Sequence, residues 1–336
     1  MSEKLNRREF MQAAGLTGFT AAIAGMGTAT LFGPGRAAAA DANPNEKYVM
    51  VSNVAAHPYW LDAQYGGQDA AAQLGVTWQY TGPANFDTAA QVAALEQIIP
   101  TNPAGLIVPA LQPDAITPAI NKAIEAGIPL VTVDTDAPAS KRVTYLGTDN
   151  YNAGRSMALA MLAALGDKPP KIGLATVPGQ FNLEERIRGI KDILAEKKTG
   201  EIVAIVDNKA DDAAAADAVV AMLQAHPDIN LVSSINAAGA GASAALRQTS
   251  NVGKVKAVLF DITEPIIAGI EDGSVDSTMV QRTYLMTYIG VWLLYLYHHP
   301  TKYLENWLKN GIAILPYAVD TGVMTIRKGQ TAAFKK

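Results

Sequence analysis

Residues 128–136 read Ile128-Pro129-Leu130-Val131-Thr132-Val133-Asp134-Thr135-Asp136, a short β-branched run that stops on a carboxylate. Upstream, Pro113-Asp114 opens a helical pattern that Glu125-Ala126-Gly127 closes, and Gly105-Leu106-Ile107-Val108 precedes it as another apolar run. Strand, helix and strand in that order make a βαβ unit, whose two strands lie parallel. The cadence extends outward in both directions. Strands are expected to begin near Tyr48, Val76, Gly105 and Ile128, with an extra one near Val143. A second series is expected near Lys171, Ile202, Ile229, Val255 and Ser277, and Asp211-Asp212 opens an alanine-rich helix between two of them that ends at His226-Pro227. Two successive series of similar rhythm predict an α/β protein of two similar Rossmann-like lobes, each on a parallel sheet. In open parallel sheets ligands bind beyond the carboxyl ends of the strands, so functional residues are expected directly after strands.

Composition narrows the classes. The chain has 336 residues, 49% hydrophobic and 17% charged, enough to bury two cores of ordinary size. Its formal net charge of −4 provides no basic field for nucleic acid or an anionic membrane surface. It holds no cysteine, which removes disulfides, thiolate metal sites, cysteine nucleophiles and a lipid-carrying cysteine. The first forty residues read as an address. Arg7-Arg8 precedes an Ala/Gly/Thr-rich apolar stretch from Ala13 to Phe32, and Ala37 to Ala40 supplies a small-residue cleavage site. This order resembles a twin-arginine signal peptide over residues 1–40, implying export to the periplasm; the competing reading is a membrane-anchoring helix. Cleavage after Ala40 removes four basic and two acidic residues, leaving a net charge of −6.

The residues after the expected strands are chemically coherent. After the first come His57-Pro58-Tyr59-Trp60, where two adjacent rings can offer flat faces to the C–H side of a sugar, or one can be core. After the fourth come Asp134-Thr135-Asp136, carboxylates that accept hydrogen bonds from hydroxyls but also cap turns. The second series offers Arg186, Asn236, Asp261 and Gln281 at comparable places. Charged groups, amides and an aromatic platform together suit a neutral polyhydroxylated ligand, a sugar or a polyol.

With these segments the chain resembles the ribose-type family of periplasmic sugar-binding proteins, substrate-binding components of ABC transporters, over about residues 47–326. The specific segments are His57-Pro58-Tyr59-Trp60, Ile128 to Asp134, Gly147-Thr148-Asp149-Asn150, Arg186-Ile187-Arg188-Gly189, His226-Pro227-Asp228 leading to Asn236, and Phe260-Asp261. The resemblance implies that Tyr59 and Trp60 stack on the sugar and that Asp134, Arg186, Asn236, Asp261 and Gln281 bind its hydroxyls. His57 falls where ribose receptors carry asparagine. It implies a three-crossover hinge near 147–150, 281–284 and 315–317. The lobes are then 46–148 with 283–314, and 149–282 with 317–330. It also implies closure of the lobes on a ligand, a membrane permease as partner, a monomer, and neither catalysis, cofactor, metal nor nucleic acid. Two positions depart from the ribose pattern: Thr135 stands for a second arginine and Ala210 for an aromatic ring. Asp134-Thr135-Asp136 with Asn236-Ala237-Ala238 is also similar to rhamnose and autoinducer-2 receptors, which keeps a deoxy-sugar or furanosyl signal open.

Other classes find less support. Gly239-Ala240-Gly241-Ala242-Ser243-Ala244 matches a loose dinucleotide fingerprint with Asp261 beyond it, the pattern of an exported nicotinamide-dependent oxidoreductase. The same small residues also let a helix pack closely on its sheet. There is no Gly-x-Ser-x-Gly elbow, no His-Glu-x-x-His and no phosphate loop. A repressor of this architecture needs a DNA-binding headpiece where this chain has its export signal. His298 and His299 are adjacent at a helix end and are expected to be exposed and unable to converge on one ion from a single helix face.

Overall fold

The computed structural model describes residues 43–334, with the side chain of Pro58 left undescribed. The expected twin-arginine signal over residues 1–40 therefore lies outside the described residues. The first sheet contains β1 (Lys47–Val51), β2 (Thr77–Thr81), β3 (Gly105–Val108), β4 (Leu130–Val133), β5 (Thr144–Gly147) and β11 (Ala318–Asp320), in the order β11-β5-β4-β3-β1-β2. The second contains β6 (Lys171–Thr176), β7 (Glu201–Asp207), β8 (Leu231–Ser234), β9 (Lys256–Phe260), β10 (Ser277–Gln281) and β12 (Val323–Ile326), in the order β12-β10-β9-β8-β6-β7. Among the described residues only the β10–β12 pair is antiparallel. The two-lobed α/β architecture is the one expected from the repeated βαβ cadence.

The central strands β3, β4 and β8 are buried along their whole length, which explains why β3 and β4 read as β-branched runs without polar alternation, while β8 ends on the buried Ser233 and Ser234. Helices cover both faces. The first lobe carries α1 (Leu61–Leu74), α2 (Thr88–Ile98) and α3 (Pro113–Glu125). The second carries α4 (Asn150–Leu165), α5 (Phe181–Lys197), α6 (Asp212–Ala225), α7 (Gly239–Gln248) and α8 (Glu264–Asp272). After β10 the chain returns to the first lobe as α9 (Thr283–His298), followed by the exposed α10 (Lys302–Lys309). α9 is the most apolar helix, and its aromatic ladder explains where that surface goes. Tyr284 and Tyr288 stack at 5.6 Å, and their hydroxyls donate to Asp69 and Gln73 of α1, while Thr287 donates to the Ala63 carbonyl. No described helix is long and apolar enough to cross a membrane.

The chain passes between the sheets three times, after β5, after β10 and after β11. The third passage corrects the expected boundary. Ala318–Asp320 pairs in parallel with Tyr145–Gly147 in the first sheet, so the crossover falls at Thr321-Gly322 rather than at 315–317. A three-residue strand has too little periodicity to be read from sequence, and its position is set by partners distant in the chain. Arg142 holds it in place. The guanidinium donates to the Tyr317 carbonyl at 3.0 Å, lies over the Tyr317 ring, and is bound by both oxygens of Asp136 at 2.5 and 2.6 Å. The passages are stitched together: Thr148 donates to Gln281 at 2.9 Å, the Asp149 amide to Asp320 at 2.9 Å, and the Thr321 amide to the Gly147 carbonyl at 2.8 Å.

Candidate ligand-binding site

Asp134 and Asp261 occupy matching places in the two lobes. Each is the first residue beyond the fourth strand of its series, and each takes a left-handed backbone, φ 62° and 60°. Non-glycine residues rarely enter that region, though aspartate tolerates it better than most. The bends are secured alike. Each amide donates to a carbonyl near or within the next strand, Leu146 for Asp134 and Met279 for Asp261. Each carbonyl accepts a hydroxyl from that strand, from Tyr145 at 2.8 Å and Thr278 at 2.6 Å. Gly147 makes the first possible, because a Cβ there would meet the Tyr145 hydroxyl at 2.0 Å. The two carboxylates are thereby turned out of their sheets.

Arg186 enters from α5 and is 4% exposed. Its Nε donates to Asn150 at 2.8 Å, Nη1 to the Ile235 carbonyl at 2.7 Å, and its carbon lies 3.6 Å from the centre of the Phe260 ring. Nη2 makes no hydrogen bond among the described residues. The helix approach that buries this arginine depends on two glycines: a Cβ on Gly154 would lie 2.0 Å from the Arg186 carbonyl, and one on Gly189 2.1 Å from that of Tyr151. α4 and α5 thus cross backbone to backbone.

Charges of both lobes act on one another here. Burial pushes the Asp134 carboxyl up to about 6; the Tyr59 hydroxyl bonded to it opposes that, Asp261 reinforces it, and Arg186 opposes it. Burial likewise raises Asp261, against the pull of Arg186 and of the Gln281 amide 3.1 Å away. Burial lowers Arg186, opposed by Asp261, Tyr59 and Asp134. One buried cation therefore faces two carboxylates that burial pushes upward.

The remaining expected residues divide. His57 is exposed; its Nδ1 accepts from the Tyr59 amide, and its ring meets Phe86 at 5.7 Å. Tyr59 is half-buried and tied to Asp134. Trp60 is 2% exposed, packs edge-on against Tyr59 at 4.9 Å and donates to Asn53. It belongs to the first lobe's core, so of the two adjacent rings expected to stack only Tyr59 keeps a partly exposed face. Thr135 follows Asp134 with its Oγ1 buried and without a hydrogen-bond partner among the described residues. Asn236 sits in a reciprocal amide pair with the fully buried Asn208, at 2.8 and 2.9 Å. Gln281 bridges Thr148 in the first crossover and Asp261. Sequence reasoning missed Tyr145, Asn150 and Phe260 as site-builders. Asn150 and Phe260 lay within segments already singled out, whereas nothing local marked Tyr145.

The dinucleotide fingerprint has another explanation. The Gly241 amide at the start of α7 donates to Asp212 at 3.0 Å, and a Cβ there would meet the Asp212 carbonyl at 2.0 Å. Gly241 brings α7 onto α6, Gly239 lets it sit on β9 and α8, and the chain's own carboxylate occupies the amide that a pyrophosphate would need.

Comparison with known proteins follows this geometry. Residues 48–298 match the periplasmic binding protein domain family. The chain belongs to that family. It is 26% identical to the xylose/arabinose-binding protein XylF of Sulfolobus acidocaldarius over 83% of this chain and 70% of that one. It superposes on AraP, an arabinose-binding protein from Geobacillus stearothermophilus, with a TM-score of 0.82 and 34% identity, covering 87% of this chain and all of that one. An ABC transporter solute-binding protein from Burkholderia graminis in complex with D-arabinose gives a TM-score of 0.73 at 27% identity, covering 88% and all of the respective chains.

Proposed function

We propose that this protein is the periplasmic receptor of an ABC sugar transporter, exported by a twin-arginine signal, and that it closes as a monomer on a pentose of the arabinose or xylose kind before meeting its permease. The observation that carries this reading is the matched pair Asp134 and Asp261 with Arg186 between them. A sugar ring presents hydroxyls on both edges and apolar C–H faces between. Carboxylates from two lobes can accept from its two edges, Nη2 of Arg186 can donate to it, and the Thr135 hydroxyl lies beside Asp134 for a further bond. Each bond formed makes the closed arrangement more favourable, which is the energetic source of hinge closure. The names of the similar proteins support a pentose.

Thr135 and Ala210 bear on which pentose. Thr135 offers one hydroxyl where ribose receptors have an arginine. Ala210 is an exposed loop residue at φ 54° and supplies no ring. Ribose, arabinose and xylose carry the same hydroxyls in different configurations, so losing this arginine and ring removes contacts matched to the configuration of ribose. Calorimetry with arabinose, xylose, ribose, a 6-deoxyhexose and a linear pentitol tests this. Arabinose or xylose is expected to bind tightest, with Arg186→Ala weakening it at least about tenfold. Ribose as the tightest ligand overturns the reading of Thr135 and Ala210, and unchanged affinity in Arg186→Ala overturns the site.

A further inference from the structure

Far from the cleft, Glu46, His298 and His299 come together, and their ligating atoms all lie within 4.8 Å of one another. Glu46 immediately precedes β1, at the end of the strand opposite to the one that faces the cleft. The histidines close α9 after the chain's second passage between lobes. Sequence reading predicted that two adjacent histidines could not converge, and for one helix face that holds. His299, however, is the residue that leaves the helix, with φ −120°, so its ring turns toward the same space as that of His298, the two ring centres 5.0 Å apart.

We propose that Glu46, His298 and His299 form a binding site for a divalent transition-metal ion, with zinc the best fit to their chemistry. Two imidazoles and one carboxylate are a common three-ligand set for zinc, which leaves a fourth position for water. Two ligands of a tetrahedral zinc stand about 3.3 Å apart. Glu46 Oε2 and His299 Nε2 already lie 2.8 Å apart. The exposed His298 ring needs only a small swing to complete the set.

The buried member of the set is prearranged. Glu46 is 6% exposed, its amide donates to Asn43 and its carbonyl accepts from Thr77. Its other carboxylate oxygen accepts the Tyr48 hydroxyl, leaving Oε2 aimed at the histidines. A second group that orients a ligating carboxylate in this way is a recurring feature of metal sites. The Tyr295 ring, 4.4 Å from that of His299, fixes the imidazole on its far side. An ion here joins residues 253 positions apart in sequence, fastening the first strand to the helix that returns from the other lobe.

The test uses tag-free protein stripped with chelator, zinc chloride as the probe in calorimetry and thermal unfolding, and cobalt(II) for visible absorption. One zinc ion per chain is expected to bind with micromolar or tighter affinity and to raise the unfolding temperature, and cobalt is expected to give the intense visible bands of a four-coordinate site. His298→Ala and His299→Gln should each weaken zinc binding at least tenfold and leave sugar affinity unchanged. Absence of binding at 100 μM zinc overturns the proposal. So does binding that survives intact in both variants, which would place the ion elsewhere. Because sugar affinity is measured on the same samples, failure of the metal site is distinguishable from failure of the receptor reading.

Discussion

Asp134 stands where backbone strain, burial and charge meet. Its carboxyl is pushed up to about 6, mainly by burial, so in the ligand-free protein the neutral form prevails only below about that pH. The sign follows from linkage: a carboxyl raised on folding contributes stability while protonated, and that contribution is lost as pH climbs from the ordinary carboxylate range through about 6. Ligand hydroxyls act in the opposite sense, because they donate best to the ionised form and stabilise it. Sugar affinity is therefore expected to rise as pH passes upward through about 6 and then level off. Asp134→Asn should bind more weakly at neutral pH and lose this part of the pH dependence. Calorimetry between pH 4.5 and 8 checks both, and a wild-type profile as flat as that of the variant contradicts the assignment.

At the scale of elements, the α4–α5 crossing determines whether Arg186 can be a ligand residue at all. Gly154 and Gly189 remove the side chains that would hold the two helices apart, each lying about 2 Å, on a hypothetical Cβ, from the other helix's backbone. Backbone cannot yield as a flexible side chain can. Gly189→Ala should force the helices apart, at a cost of about 1–3 kcal/mol typical of overpacking. The denaturation midpoint in urea should fall accordingly. Because Arg186 is one turn away on the same helix, sugar affinity should fall with it; retention of both stability and affinity would mean that the helices separate without disturbing the site.

At the scale of the whole molecule, three crossovers tied by Thr148–Gln281, Asp149–Asp320 and Thr321–Gly147 make the two lobes one mechanical unit. Gln281 belongs to both the stitching and the site, since its amide also reaches Asp261. The proposed export to the periplasm rests on a separate segment. Replacing Arg7 and Arg8 together by lysine should leave uncleaved precursor in the cytoplasm, visible on fractionation as a chain about forty residues longer; normal export of that variant contradicts the twin-arginine assignment.

What the sequence by itself determined is everything that local pattern encodes. The β-branched runs, the helix starts at Asp211 and Pro113, and the repeated βαβ cadence place ten of the strands within a few residues of their positions and require two parallel-sheet lobes. The carboxyl-end rule then points to Asp134 and Asp261 without any coordinates. Tertiary structure decided what depends on partners far apart in the chain. It buried Trp60, whose neighbours in the core come from several strands and helices, and it drew Ala318–Asp320 into the first sheet through Arg142 and Tyr145. It turned Asn236 onto Asn208 and set Tyr145 beneath Asp134. It also brought Glu46 to His298 and His299 across 253 residues. Sequence period specifies which face a side chain occupies within its own element; only the packing of elements against one another specifies what that face meets.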